Sequence, residues 1–440
     1  MLKILRIIIL LGLLITASIS ITVQAASPPV VVLNIDGVIN PVLADYIERG
    51  IEDAEENDAT VCIIQMDTPG GLDTAMRDIV QDIVNARVPV VVYVSPSGAR
   101  AASAGVFITM AAHVAVMAPN TAIGAAHPVA LGGEGEAQMS EAMEEKVVND
   151  AAAYIRSIAE AHGRNMEWAE KAVRESVSAT EQEALELNVI DMVSPDLDTL
   201  IAELDGKEVT MLGGNVVTIN TQGVTTTNIN MTTIESFLYA ISDPNIAVLL
   251  LSLATLGILI EITNPGLIFP GVVGAICGLL AFYSLGQLPV NIAGILLIVL
   301  AFGLFIAEVF TASFGLLTGG GIIALVLGAL ILFPADSAFS VNPWLIAAIA
   351  IVIALFSAFV INRVIRVHRR QAYTGREELI GKTAVVKVAL NPEGTVLFKG
   401  ERWAAEVDEG RIKPGEEVVI TKYDSLKLYV TKKQKEEVNE

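Results

Sequence analysis

The chain has 440 residues, 53% hydrophobic and only 18% charged, a balance too apolar for an ordinary soluble protein of this length, so segments of it are expected to lie in a membrane. Its formal net charge of −21, from 49 Asp and Glu against 28 Lys and Arg, argues against a nucleic-acid binder, which needs basic stripes. Two cysteines, Cys62 and Cys277, and four histidines exclude a disulfide framework and a Cys-based zinc site, and no metal or cofactor is expected.

At the N-terminus, Lys3 and Arg6 precede an apolar run over 7–15 and a small-residue exit at Val23-Gln24-Ala25. This is the pattern of a secretory signal over residues 1–25, with an uncleaved anchor as the alternative. Residues 26–240 then hold 32 acids against 10 bases, so the whole negative excess belongs to this part of the chain. Within a first domain spanning 26–225, apolar runs at 30–35, 61–66 and 88–94 alternate with helical patterns at 43–56 and 74–84. That spacing predicts βαβ units and a parallel sheet flanked by helices. Such sheets bind ligands at the carboxyl ends of their strands.

The second of these strands runs into Asp67-Thr68-Pro69-Gly70-Gly71, and the third into a small-residue segment ending Arg100-Ala101-Ala102-Ser103-Ala104-Gly105. Paired glycines bring a backbone N–H up to a ligand with no Cβ in the way. A serine ahead of a helix over 104–112 has an exposed Oγ beside helix N–H groups and a dipole that favours a developing oxyanion. Ser103 and the Gly70-Gly71 turn thus read as a nucleophile facing an oxyanion hole; the competing reading is an N-cap and a plain turn. Asp67 is expected to fix that turn, and Asn34 and Asp36 to hydrogen-bond the surrounding loops. His113 and His162 read as lone residues on helical stretches.

Residues 241–366 form the expected transmembrane region. From 241 to 370 there are four acids (Asp243, Glu261, Glu308 and Asp336) and four bases, the latter gathered at Arg363, Arg366, Arg369 and Arg370. Apolar stretches at 246–260, 267–285, 292–306, 314–333 and 344–361 predict about five spans, each needing roughly 20 residues. Glu261, Glu308, Asn264 and Asn291 lie near span ends, where polar groups snorkel to the interface. The basic collar puts the end of the last span in the cytoplasm. Counting back through five spans places the acidic domain outside, in agreement with a signal ahead of it. Residues 376–435 alternate apolar and polar positions between turns at Asn391-Pro392-Glu393-Gly394 and Lys413-Pro414-Gly415, which predicts a small closed β-barrel of about five strands.

The runs Asp67-Thr68-Pro69-Gly70-Gly71 and Arg100-Ala101-Ala102-Ser103-Ala104-Gly105, the strand and turn over 115–124 and the segment 177–191 resemble the ClpP/crotonase fold. More specifically they resemble the membrane-bound NfeD-family serine proteases with a Ser-Lys dyad, whose order of protease domain, multi-span region and C-terminal OB-fold barrel this chain repeats. The resemblance implies Ser103 as nucleophile, Lys146 as general base, and the amides of Gly71 and Ala104 as oxyanion donors. A lysine base must lose its proton well below its usual pKa of about 10.4, which requires burial away from carboxylates. Glu144 and Glu145 directly precede Lys146, so it would have to face an apolar cleft while they face water. The glycine-rich segment 131–136 just upstream reads as a mobile loop, which would leave Lys146 poorly placed until substrate or a neighbouring subunit arrives. His127 is the competing base, as in soluble ClpP, but no Asp stands where that family has one, and Glu175 is the substitute on offer.

The resemblance also implies a homo-oligomer, stomatin/prohibitin-like membrane proteins as partners or substrates, and cleavage of apolar segments. Phe398 and Trp403 in the barrel read as a core pair rather than a stacking platform for bases. Two other classes of function are open to the sequence: a non-catalytic membrane scaffold for stomatin-like assemblies, and acyl-CoA chemistry, which an extracytoplasmic domain disfavours because CoA is cytoplasmic.

Overall fold

The structure is a computed structural model that describes residues 29–128, 141–288, 290–311, 313, 315–333, 339–369 and 379–433. The leader, the 131–136 segment and Arg370 lie outside the described residues.

The first domain is built on a six-stranded parallel sheet. Strands β1 (Val30–Asp36), β2 (Val61–Asp67) and β3 (Val90–Val94) alternate with helices α1 (Pro41–Glu56) and α2 (Asp73–Asn85). Then come β4 (Arg100–Ala102), α3 (Ala104–Ala111), β5 (Val114–Met117) and β6 (Ala122–Gly124). Helices α4 (Glu141–Ala161) and α5 (Met166–Arg174) lead to β7 (Ser178–Thr180), α6 (Glu181–Glu186), β8 (Met192–Val193) and α7 (Leu197–Glu203). A hairpin of β9 (Glu208–Thr210) and β10 (Val216–Thr218) precedes β11 (Thr226–Ile229). The sheet order is β11-β1-β2-β3-β5-β8, and β4-β6-β7 form a separate three-stranded sheet.

Both faces of the large sheet are buried, which is why its strands read as continuous apolar runs rather than alternating ones. Val31, Leu33, Ile64, Met66 and Val92 pack into the core beneath the long helices. Their neighbours Val32, Ile63, Val91 and Tyr93 pack on the other side against Leu200, Leu204 and Val209. Burying a side chain of this size contributes about 1.5–3 kcal/mol, so the interleaved pattern strongly fixes register.

Helix α8 (Thr233–Ile241) joins this domain to five apolar helices: α9 (Pro244–Thr263), α10 (Phe269–Gln287), α11 (Ile292–Phe310), α12 (Leu316–Leu332) and α13 (Pro343–Arg369). By length and composition α9 and α10 can cross a membrane, their 20 and 19 residues rising about 30 Å. The apolar stretches of the other three are shorter: Ile292–Glu308, Leu316–Leu332 and Pro343–Phe359. Arg363, Arg366 and Arg369 fall in the last turns of α13. Glycines bring the helices together in pairs: a Cβ on Gly257 of α9 would stand 2.8 Å from Gly274 Cα of α10, and one on Gly294 of α11 would stand 2.6 Å from Leu332 Cα of α12.

Polar residues at the helix ends accept hydrogen bonds from nearby backbone N–H groups. Glu308 accepts the N–H of Gly315 at 2.8 Å and of Thr318 at 2.9 Å, so its carboxylate caps α12. Asn291 accepts the Ala293 N–H at 2.7 Å at the start of α11, and Glu261 accepts the Gly266 N–H at 3.4 Å. Backbone donors at the starts of α11 and α12 thus occupy Asn291 and Glu308.

The C-terminal unit is a closed five-stranded barrel of β12 (Thr383–Val388), β13 (Glu393–Phe398), β14 (Glu401–Val407), β15 (Glu417–Asp424) and β16 (Lys427–Lys432), in the order β12-β13-β14-β16-β15. Val386, Val396, Val418, Ile420 and Val430 fill it. Phe398 is buried there, and Trp403 is half-buried, edge-on to Tyr423 at 6.5 Å.

Candidate active site

The segment after β2 runs alongside β4: the Thr68 N–H donates to Arg100 O at 2.8 Å, and the Ala102 N–H donates to Thr68 O at 3.1 Å. This pairing lays Gly70 against Ser103. A Cβ on Gly70 would stand 2.6 Å from Ser103 Cβ and 3.1 Å from its Oγ, and Gly70 has φ +113, so glycine is required twice over. Gly71 is equally confined, since a Cβ there would meet Ile39 O at 2.0 Å. The turn is locked by Thr68, whose Oγ1 accepts the Gly70 N–H at 3.1 Å. Asp67 does not fix it as expected: its carboxylate accepts the Arg100 N–H at 3.0 Å and tethers β4 instead.

Ser103 precedes α3 with φ 53 and ψ −113, a conformation that costs an L-residue about 1–3 kcal/mol. Its N–H donates to Gly124 O at 3.1 Å, and its carbonyl accepts the Val106 N–H at 3.0 Å, so β6 and α3 together hold the strain. Ser103 sits at the N-cap position but makes no side-chain cap bond. The plain-cap reading thus loses its basis, since the Oγ is left without a hydrogen-bond partner among the described residues. The Ala104 N–H is one of the orphan donors of the first helical turn. No hydrogen bond among the described residues takes it or the N–H of Gly71, although Ile39 engages both neighbours of Gly71 through Ile39 N to Gly70 O and Leu72 N to Ile39 O, each at 2.9 Å.

Lys146 lies in the second turn of α4 and is exposed, as are Glu144 and Glu145. The expected partition, lysine inward and glutamates outward, does not occur. The reason is that α4 beds into the core only further along, through Ala151, Ala152, Ile155, Ile158 and Ala159, and its first turns extend past that support. Among the described residues Lys146 has no hydrogen bond or ion pair. One turn on, Asp150 pairs with Arg77 at 2.6 Å, and the Arg77 guanidinium lies 4.5 Å from the centre of the Tyr154 ring. The helix that carries Lys146 is therefore pinned just downstream of it.

His127 is half-buried, and its Nδ1 lies 2.8 Å from Val173 O. A carbonyl only accepts, so Nδ1 carries the proton and Nε2 is left as the acceptor. Glu175 does not take the orienting role: it is exposed at the end of α5, and the Val173 carbonyl already occupies Nδ1.

Two further histidines, His113 and His162, are not isolated. The rings of His113 and His162 meet edge-on at 6.0 Å beside Arg164, whose buried guanidinium donates to Met110 O at 2.5 Å and pairs with Asp191 at 2.6 Å. Burial, aided by Arg164, pushes both imidazoles down to about 4. Sequence reading missed this cluster because its members lie far apart in the chain. Among the described residues no group of acidic, histidine or cysteine side chains is arranged to hold a metal ion.

Comparison with known proteins gives these features a family. Residues 29–197 match the N-terminal domain of NfeD1b, 245–363 the NfeD integral membrane domain, and 376–432 the NfeD-like C-terminal, partner-binding domain. The chain is 38% identical over 416 residues to the membrane-bound protease PH1510 of Pyrococcus horikoshii, covering 92% of this chain and 94% of that protein. It is 26% identical over 459 residues to the membrane protein NfeD1b of Bacillus subtilis, covering 96% of each. Among solved structures, the 1510-N membrane protease specific for a stomatin homolog from Pyrococcus horikoshii is 34% identical, covering 50% of this chain and 100% of that one, with a TM-score of 0.43. The ClpP-like α/β domain, the apolar helices and the closed OB-type barrel stand in the order these domains have. The chain is a membrane protein, homologous to a membrane protease, and belongs to the NfeD family.

Proposed function

We propose that this protein is a membrane-bound serine endopeptidase that cleaves apolar segments of membrane-associated, stomatin/prohibitin-like proteins. The single observation that carries the reading is Ser103: a serine held at positive φ against Gly70, its hydroxyl unused by the helix it precedes, with the N–H groups of Gly71 and Ala104 taking no acceptor among the described residues. Strain of this kind persists where the surroundings impose it, and it accumulates at catalytic positions.

In this mechanism the Ser103 Oγ attacks the scissile carbonyl while the amine of Lys146 takes its proton. The N–H groups of Gly71 and Ala104 hold the oxyanion, each worth about 2.7–4 kcal/mol of barrier. The proton then passes to the leaving amine, and water repeats the sequence on the acyl-enzyme. Because Lys146 is exposed at rest, its use as a base depends on substrate or a second subunit closing over the first turns of α4 and stripping water from the amine. His127 is the second candidate base, favoured by the Val173 carbonyl, which fixes its tautomer as a carboxylate does in a triad.

The domain division is 26–225 for the protease, 241–366 for the membrane region and 376–435 for the barrel. The collar at Arg363, Arg366 and Arg369 supports a cytoplasmic barrel and an extracytoplasmic protease. The barrel serves to bind partner proteins, and the protein works as a homo-oligomer. Incubation of the purified protein with an apolar peptide tests the reading: Ser103→Ala should abolish cleavage, and wild-type activity in that variant would reject the nucleophile. The rival scaffold function predicts an unchanged cellular phenotype for Ser103→Ala and Lys146→Ala, with loss on deletion of the barrel.

A further inference from the structure

Helix α8 leads directly into the first membrane helix, and it is fastened to the protease domain at two points. Arg49 of α1 donates from Nε and an Nη to the two carboxylate oxygens of Glu235, each at 2.8 Å. One turn further on, the Tyr239 hydroxyl reaches the end of β1, 3.1 Å from Asp36 O and 3.4 Å from Val38 O. The fit is close: a Cβ on Gly37, at φ +116, would stand 2.5 Å from that hydroxyl.

The backbone that Tyr239 holds continues into the segment bridged to Gly71. Ile39 follows Val38, and it is the residue bonded to both neighbours of Gly71. Val38 and Leu72, on either side of this pairing, pack against the buried cluster of the membrane helices. This bridged pair of segments is thus held by its own backbone hydrogen bonds and contacted by α8 and the membrane helices.

We infer that Tyr239 is a positioning residue that couples the membrane bundle to the oxyanion hole, setting the place of the Gly71 N–H through Gly37, Val38 and Ile39. The inference rests on the protease reading above. Its physical basis is that an oxyanion donor acts at about 2.7–3.1 Å from the developing charge, so a displacement of a few tenths of an ångström weakens it. A shift of the strand therefore lowers turnover and leaves ground-state peptide binding largely intact.

The test uses the full chain in lipid nanodiscs, with an apolar peptide as substrate. Tyr239→Phe keeps the ring in place and removes only the hydroxyl. It should lower kcat about tenfold, leave KM within about twofold and keep the thermal midpoint, with faster amide exchange in the peptide covering 66–76. A fall in thermal midpoint without the split between kcat and KM would mean a merely structural role and would overturn the inference, as would wild-type kcat. Ser103→Ala is measured in parallel. If Ser103→Ala is inactive and Tyr239→Phe turns over normally, the coupling is wrong and the protease reading stands; if Ser103→Ala is fully active, the protease reading itself has failed.

Discussion

Phe107 and Tyr154 stack with their ring centres 6.0 Å apart, and this pair ties the helix that begins after Ser103 to the helix that carries Lys146. The Arg77 guanidinium also lies over the Tyr154 ring and pairs with Asp150 on the same helix. The distance between the two candidate dyad residues therefore depends on an aromatic and cationic brace outside the cleft.

Removal of that brace should be felt in both stability and rate. Tyr154→Ala should destabilise the domain by about 2–3 kcal/mol, lowering the thermal midpoint by several degrees, and should slow acylation of Ser103. Tyr154→Phe, which keeps the ring, should behave as wild type. Thermal unfolding and labelling by a serine-reactive probe would check the pair of variants.

Gly70→Ala should abolish labelling of Ser103. The added methyl would lie 2.6 Å from Ser103 Cβ at a backbone angle that disfavours any side chain, so either the turn or the serine must move. The thermal midpoint should fall too, whereas Gly98→Ala, where the added methyl meets nothing within 4 Å though φ is also positive, should leave labelling intact.

Two groups of half-buried titratable residues should act on stability in opposite directions. His113 and His162 titrate at about 4 in the fold against 6.5 ordinarily, so the unfolded chain binds their protons first. Their neutral, packed state contributes in full above about pH 6.5 and is lost as pH falls towards 4. Asp82, pushed up to about 6 by burial and by the nearby Glu48, Asp78 and Glu52, carries a penalty that grows as pH rises from 3.8 through 6. Thermal midpoints across pH 4–7.5 should show Asp82→Asn more stable than wild type above pH 6 and equal to it near pH 4. His162→Gln should flatten the acid limb.

Glu308→Ala should weaken the α11 and α12 pair, because it removes both acceptors at the start of α12. A loss of about 1 kcal/mol is expected, and Glu308→Gln, which retains one acceptor, should fall between the variants. Midpoints of thermal unfolding in detergent would rank the three proteins.

The βαβ frame was legible because strands buried on both faces and helices with one apolar stripe leave different periods in the chain, as the runs at Val61–Asp67 and Asp73–Asn85 do. Ser103 and the glycine pair could be singled out because small residues at strand ends leave few local alternatives. What stayed hidden was nonlocal. The Val173 carbonyl that orients His127, the Thr68 hydroxyl that locks the turn and the Tyr239 hydroxyl on β1 are single hydrogen bonds with no periodic signature. The exposure of Lys146 was hidden for a related reason: helical phase gives the direction of a side chain but not how far the helix runs beyond its supporting core. Nor could Arg164, buried beside two histidines, be found by composition, since its partner Asp191 is a separate segment away.

The most direct measurement is intact-mass and peptide mapping of the full-length protein after reaction with a fluorophosphonate probe across a pH series, for wild type, Ser103→Ala, Lys146→Ala and His127→Ala. The account predicts a single adduct on Ser103, absent in Ser103→Ala, formed at least about 100-fold more slowly in Lys146→Ala, and little changed in His127→Ala. An adduct that survives Ser103→Ala, or a Lys146→Ala variant labelled at the wild-type rate, would contradict it.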